Sequence, residues 1–247
     1  MSFYSELSRV YDVVFPLQPM TLSFLEKDMS KGDKILDLAC GKGSYSISLS
    51  EKGYDLCALD LDGDMIKGLK KKAAELNLDI KAYEGDMTEV DDLISGKFRR
   101  IFCIGNSLVH LKDSSEILVL LKKLHSLLED HGDIIIQIVN YDRILDKRVN
   151  TLPTLKGDLT PEEKVIFHRS YSFKDENTVS FDTELIITEN SKSVSYKNSI
   201  PLIALRKASL IKLLEESSFS SISCYGDFKA SPFSPSESFP LIIKAAK

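Results

Sequence analysis

The chain has 247 residues, 43% of them hydrophobic and 28% charged, enough for one well-buried domain with an insertion and a tight fit for two domains. That composition is ordinary for a folded globular protein and argues against disorder. The formal net charge of −5 argues against a nucleic acid partner, because phosphate backbones are held by clustered Lys and Arg.

The N-terminal run Met1-Ser2-Phe3-Tyr4-Ser5-Glu6 lacks the basic and then apolar regions of a secretory signal. No apolar run reaches the roughly 18 residues needed to cross a bilayer. The expectation is a cytoplasmic protein without a membrane partner. Cys40, Cys57, Cys103 and Cys224 lie far apart and form no C-x-x-C pair, so they read as reduced, packed thiols, with no metal site and no disulfide framework.

Leu7, Val10, Tyr11 and Val14 recur at helical spacing between Phe3 and Val14, and Phe15-Pro16 breaks the pattern. Met20 to Met29 predicts a second short helix. An alternation of strands and helices follows: strand Lys34 to Leu38, helix Gly43 to Lys52, strand Asp55 to Leu59, helix Gly63 to Leu76, strand Leu78 to Tyr83. It continues with strand Arg100 to Ile104, helix Ser114 to Leu128, a turn at Gly132, and the strongly apolar strand Asp133 to Val139, interrupted only by Gln137. Strands that alternate with helices imply a parallel sheet covered on both faces, because parallel strands need crossover connections. The basic run Lys67 to Lys72 falls on a predicted helix and reads as a solvated face.

Beyond this the pattern changes. Three strand-like runs, Val165 to Phe173, Thr178 to Thr188 and Ser193 to Leu202, are separated by short polar turns, which indicates antiparallel hairpins. Helical spacing returns at Lys207 to Glu215, followed by strands Ile222 to Tyr225 and Leu241 to Ala245.

The strongest chemical signal is Ile35-Leu36-Asp37-Leu38-Ala39-Cys40-Gly41-Lys42-Gly43, an apolar strand that runs through a turn of small residues into a helix. Glycines let backbone approach a ligand at positive φ, and the helix N-terminus offers N–H groups to an anion. A dinucleotide would want a third glycine, absent from Gly41-Lys42-Gly43-Ser44-Tyr45-Ser46, and would meet repulsion from Asp37. S-adenosylmethionine carries an ammonium and a carboxylate instead of phosphates, and an acidic loop entrance beside a helix terminus suits both. Asp60, at the next strand end in Leu59-Asp60-Leu61-Asp62, can accept from both ribose hydroxyls, while Asp62 can cap the following helix. Gly85-Asp86-Met87 offers a carboxylate to the adenine amino group and a thioether to its ring.

On Asp37-Leu38-Ala39-Cys40-Gly41-Lys42-Gly43, Asp60 and Asp86 the sequence resembles the class I S-adenosylmethionine-dependent methyltransferases over nearly its whole length. Gly105-Asn106-Ser107-Leu108-Val109-His110-Leu111, Asn140-Tyr141-Asp142-Arg143-Ile144-Leu145 and Tyr225-Gly226-Asp227-Phe228-Lys229 resemble the branch containing glycine N-methyltransferase. The resemblance implies an α/β, Rossmann-like, doubly wound and mostly parallel seven-stranded sheet with a reversed final strand and a small antiparallel β insertion. It divides the chain into a helical cap over the cofactor (1–30), a cofactor-binding core (31–145), the insertion (146–205) as substrate roof or homo-oligomer contact, and the C-terminal part of the core sheet (206–247).

By the same resemblance Asp37, Ala39, Cys40, Gly41, Gly43, Asp60, Leu61, Met65, Asp86, Met87, Ile104, Gly105 and His110 are expected around S-adenosylmethionine, with Tyr4 and Tyr11 closing over it. Tyrosines suit that place, since a sulfonium is drawn to an aromatic face. Asn106 and Tyr141 are expected on a small-molecule acceptor, and His110, Tyr141 and Tyr171 are the candidates for a general base. The chain departs from the glycine-methylating pattern in having Val139, not arginine, before Asn140-Tyr141-Asp142, and no arginine between Pro16 and Leu25. An apolar residue cannot make the bidentate contact that holds a carboxylate, which argues against glycine as acceptor. The alternatives are a non-catalytic regulator that binds the same cofactor, or another nucleotide-binding enzyme such as a dehydrogenase.

Overall fold

The computed structural model describes residues 3–247. Helix α1 (Phe3–Val14) ends where expected, at Phe15-Pro16, and α2 (Pro19–Glu26) starts on a proline, whose fixed φ suits a first turn and which needs no amide partner there. The core then runs β1 (Lys34–Leu38), α3 (Ser44–Glu51), β2 (Asp55–Asp60), α4 (Gly63–Glu75), β3 (Ile80–Glu84), the single turn α5 (Val90–Leu93), β4 (Phe98–Cys103), α6 (Ser114–Leu127), β5 (Leu128–Val139) and α7 (Tyr141–Asp146). After it come β6 (Leu155–Asp158), β7 (Glu163–Phe173), β8 (Thr178–Glu189), β9 (Lys192–Ile203), α8 (Lys207–Glu216), β10 (Ser220–Tyr225) and β11 (Pro240–Ala246).

The seven-stranded sheet has the order β10-β11-β5-β4-β1-β2-β3. Its pairs from β5 to β3 are parallel, and β11 runs antiparallel to both β5 and β10. Ile35, Leu36, Leu38, Ile134, Ile135, Ile136 and Ile138 are all buried, as befits strands covered by helices on both faces. β2 and β4 flank β1 on opposite sides, so the direction of winding reverses at β1, where such sheets open a crevice beyond their strand ends.

The inserted layer is a four-stranded antiparallel sheet, β6-β7-β8-β9. The sequence pattern gave three of these strands; β6, Leu-Lys-Gly-Asp, is too short and too poor in β-branched residues to announce itself, and it forms because β7 offers it an edge. Gly132 does not make the expected turn: the left-handed residue is His131 (φ 67°), and Gly132 is small because a Cβ there would come within 2.9 Å of the Glu129 carbonyl. The second helix stops at Glu26, short of the expected Met29.

Away from the crevice, near the start of β4, Arg100 is fully buried. Its Nε and Nη2 donate to the two oxygens of Asp133 on β5 (2.5 and 2.6 Å), and Nη1 donates to the carbonyls of Leu25 and Lys27 at the end of α2. One charged side chain thus joins two strands and terminates a helix. Among the described residues no helix is long and apolar enough to cross a membrane, and no cluster of His, Cys, Asp and Glu could hold a metal ion.

Candidate active site

β1 leads into a turn in which Ala39 (φ 62°), Gly41 (φ 55°) and Gly43 (φ 70°) are left-handed. The two glycines are small for different reasons. A Cβ on Gly43 would overlap Leu69 of α4 at 2.4 Å, and one on Gly41 would press on the Tyr11 ring at 3.2 Å. Gly43 is the N-cap of α3 and supplies no side-chain cap for the first amides of that helix.

Two carboxylates lie close to this loop. Asp60, at the end of β2, accepts from the Gly41 amide through Oδ2 (2.7 Å) and from the Asp62 amide through Oδ1 (2.9 Å). It therefore ties the glycine loop to the neighbouring strand end, and each oxygen keeps a second lone pair for another donor. Asp62 caps α4 by accepting from Asp64 and Met65 amides, as the sequence allowed. Asp37, one residue before the end of β1, is 3% exposed, and its carboxylate accepts from the Ser46 hydroxyl of α3 at 2.6 Å. Burial pushes its pKa from 3.8 up to about 7, Ser46 working against the rise and Asp60 adding to it.

A pH dependence follows. Because the folded-state pKa of Asp37 is raised, folding holds a proton that the unfolded chain releases, and stability declines as pH rises from about 3.8 to about 7. Asp37→Asn, which keeps an acceptor for Ser46, is expected to remove that decline. Urea unfolding at pH 5 and pH 8 measures it; an unchanged difference between wild type and variant at the two pH values would refute the assignment.

Along the rim, Leu61 is 69% exposed, unusual for a leucine at a strand end and well placed for an aromatic ring. Asp86 caps a short turn through one oxygen, accepting from the amide and hydroxyl of Thr88, and Met87 is half-buried beside it. Met65 is buried, with the Ser8 hydroxyl against its sulfur. Cys40 is half-buried, and burial holds its thiol well above its ordinary pKa.

Helix α1 is pressed between the loop and the antiparallel sheet. Tyr11 lies on Gly41, Asp12 accepts from the Ser44 hydroxyl, and the Lys42 ammonium reaches the Arg9 carbonyl. On its other side Val10 and Val14 pack with Val165, Phe167, Leu185 and Ile187, and Arg9 pairs with Glu163 at 2.5 Å. Burial and the nearby Asp60 and Asp37 carboxylates keep the Tyr11 hydroxyl protonated. Tyr4 lies elsewhere: half exposed, it accepts from the Asn198 amide of β9, on the antiparallel sheet.

Past β4, Gly105 (φ 83°) and Asn106 (φ 71°) turn the chain outward beside the half-buried Ile104. Asn106 accepts from the Val139 amide and donates to the Tyr141 hydroxyl (3.1 Å), and the Gly105 amide donates to Gln137 Oε1. Tyr141 is 1% exposed and stands 6.2 Å from the Tyr171 ring of β7, which stacks on Phe181 at 5.5 Å. Burial raises both phenols, Tyr171 to about 12 and Tyr141 well above its ordinary value, so both are protonated and neutral. His110 sits exposed at the rim, its imidazole held neutral by partial desolvation. Asn140 is buried and ties β5 to the loop before β11, donating to the carbonyls of Ser234, Pro235 and Ser238.

The strand ends therefore bring together Ala39 to Gly43, Asp60, Leu61, Asp86, Met87 and Ile104 to Asn106, with Tyr11, Tyr141 and Tyr171 across from them. Sequence reasoning missed Ser46 and Gln137. Gln137 did signal itself, as the polar residue interrupting Ile134 to Val139; Ser46 carried no signal, since one serine on a helix is commonplace.

Residues 35–132 match the family model described as a methyltransferase domain. The chain is 29% identical over 198 residues to a glycine/sarcosine N-methyltransferase of Aphanothece halophytica, covering 79% of this chain and 69% of that protein. In fold it is similar to an S-adenosylmethionine-dependent methyltransferase from Clostridium acetobutylicum (TM-score 0.80, 19% identity, 98% of each chain). It is also similar to the sugar N-methyltransferase KedS8 from Streptoalloteichus (TM-score 0.72, 12% identity, 100% of this chain and 93% of that one).

Proposed function

The chain is a class I S-adenosylmethionine-dependent methyltransferase near the glycine N-methyltransferase branch, and on that premise we propose that it methylates a nitrogen or oxygen of a small-molecule acceptor by alignment rather than by base catalysis. The observation that carries this reading is the acceptor end of the crevice, where the half-buried Asn106 donates to the hydroxyl of the buried Tyr141, the buried Tyr171 ring stands beside it, and both phenols are neutral.

Bound S-adenosylmethionine supplies a methyl group on a sulfonium, whose leaving group is already activated. Asp60 would hold the ribose with its remaining lone pairs, Asp86 the adenine amino group, and Leu61 and Met87 the ring faces. The loop Ala39-Cys40-Gly41 to Gly43 and the N-terminus of α3 would receive the carboxylate, and Ile104, Gly105 and His110 would border the methionine end. Asp37 acts through Ser46, and Met65 supports α1 through Ser8. Tyr11 closes the site from α1, so residues 1–30 serve as its cap and 146–205 as the roof; Tyr4 belongs to the contact between the two. Asn106 and Tyr141 orient the acceptor, while the apolar residues around them exclude water. Positioning of this kind supplies about 7–11 kcal/mol of barrier reduction. Neither phenol can take a proton at neutral pH, which leaves His110 as the only base among the three.

Release of S-adenosylhomocysteine with a panel of amines, amino acids and phenols tests the acceptor class; turnover with protein or RNA alone would refute it. Run on His110→Ala, the same assay tests alignment. A general base contributes about 10²- to 10⁴-fold, so a loss below about 10-fold is expected, and a loss in that range would restore His110 as the base.

A further inference from the structure

The parallel ladder between β4 and β5 ends at the pair Cys103 and Ile136. Beyond that pair the two chains stay joined by other means, and Gln137 supplies most of them. Its side-chain Oε1 accepts from the Gly105 amide at 2.8 Å, and its main-chain carbonyl accepts from the next amide, that of Asn106, at 3.2 Å. Asn106 returns the contact: its Oδ1 accepts from the Val139 amide at 2.9 Å while its Nδ2 donates to the Tyr141 hydroxyl. Gln137 thus grips two consecutive residues that are both left-handed, Gly105 (φ 83°) and Asn106 (φ 71°). That conformation is costly for a residue with a Cβ and persists where its surroundings impose it. The neighbours of Gln137 do not call for an amide. It interrupts the apolar run Ile134 to Val139, and on its own face Ile135 along the strand and Ile242 opposite on β11 are buried isoleucines. An apolar side chain would continue the core at this position and leave the Gly105 N–H without its acceptor.

We propose that Gln137 is a positioning residue for methyl transfer, which fixes the Gly105–Asn106 turn and, through Asn106, sets the Tyr141 hydroxyl that orients the acceptor. This rests on the methyltransferase reading above. In that reading Gly105 borders the methionine end of the cofactor and Asn106 the acceptor, so one side chain holds the two reactants in register without touching either. Methyl transfer by alignment is sensitive to such a clamp, since a misplacement of about 1 Å costs on the order of 100-fold in rate.

A set of variants tests it, with S-adenosylhomocysteine release from the fastest acceptor of the panel as the readout. Gln137→Met, similar in length but without an amide acceptor, is expected to lower kcat on the order of 10- to 100-fold, while affinity for S-adenosylhomocysteine by calorimetry changes by less than about 5-fold. Gln137→Glu keeps an acceptor for the Gly105 amide and should stay within about 5-fold of wild type in kcat. Asn106→Ala should lose at least as much as Gln137→Met. The double variant should lose no more than about 3-fold beyond Asn106→Ala alone, because both substitutions break one chain of contacts. Losses that multiply overturn the proposal, as does a Gln137→Glu no better than Gln137→Met. A Gln137→Met whose only change is a lower Tm shows a structural brace and overturns it too. Hydrogen exchange at the Gly105 amide gives a readout without turnover. It should be slower in wild type and Gln137→Glu than in Gln137→Met by on the order of 10-fold, and equal rates overturn the clamp. If wild type releases no S-adenosylhomocysteine with any acceptor, the transferase reading fails and the role in alignment fails with it. Exchange at Gly105 then still decides whether Gln137 holds the turn.

Discussion

Asp60→Ala is expected to weaken S-adenosylmethionine binding by on the order of 100-fold or more, and Asp62→Ala by no more than a few-fold. The two carboxylates are two residues apart, yet the structure gives them separate tasks. Asp60 holds the glycine loop through the Gly41 amide and its own turn through the Asp62 amide, and it is the carboxylate proposed to hold the ribose. On that proposal its removal would delete charge-assisted hydrogen bonds to the ribose and at the same time free the glycine loop that Asp60 ties down. Asp62 accepts from the first amides of α4, so its loss is a capping loss of about 1 kcal/mol in stability. Calorimetry with S-adenosylmethionine and thermal unfolding of both variants separate the two quantities. Equal losses of affinity would remove Asp60 from the ribose.

The largest effect on stability should come from the opposite end of the sheet. Asp133→Ala leaves the buried guanidinium of Arg100 without its bidentate partner, and it also strips Lys244 of a carboxylate at 3.3 Å. Breaking a buried pair from one side costs about 3–5 kcal/mol, which for a chain of this size lowers Tm by roughly 6–20 °C. Replacing both partners with leucine is expected to recover only part of this. An apolar pair would remove the stranded charge, but the Leu25 and Lys27 carbonyls at the end of α2 would still lose the donor that Arg100 supplies. Urea unfolding of the single and double variants measures it; a double variant as stable as wild type would show that the carbonyls find other partners. Cofactor affinity should change little in either, since the pair lies away from the crevice.

The pattern of strands and helices was legible because it is written in short-range periodicity. Apolar runs at Lys34 to Leu38 and Ile134 to Val139, the glycines at 41 and 43 and the acidic strand end at Asp60 each declare a local conformation that tertiary packing then kept. β6 was not legible, because four residues with one glycine form a strand only where β7 presents an edge to them. The helix Tyr141–Asp146 was similarly implicit, its start set by the Asn140 side chain accepting from the Arg143 amide.

Within the site the division is sharper. The sequence by itself determined where a nucleotide-like cofactor could be cradled, because a left-handed glycine turn between a strand and a helix is a local property, and it weighed against a dinucleotide through the missing third glycine. Only the tertiary structure decided what the charged residues do. Asp37, read as a carboxylate at the loop entrance, is buried and bonded to Ser46, since how far a side chain at a strand end is exposed depends on the helix laid over it. Tyr4 went to the roof and Tyr11 to the loop, although both sit on one helix.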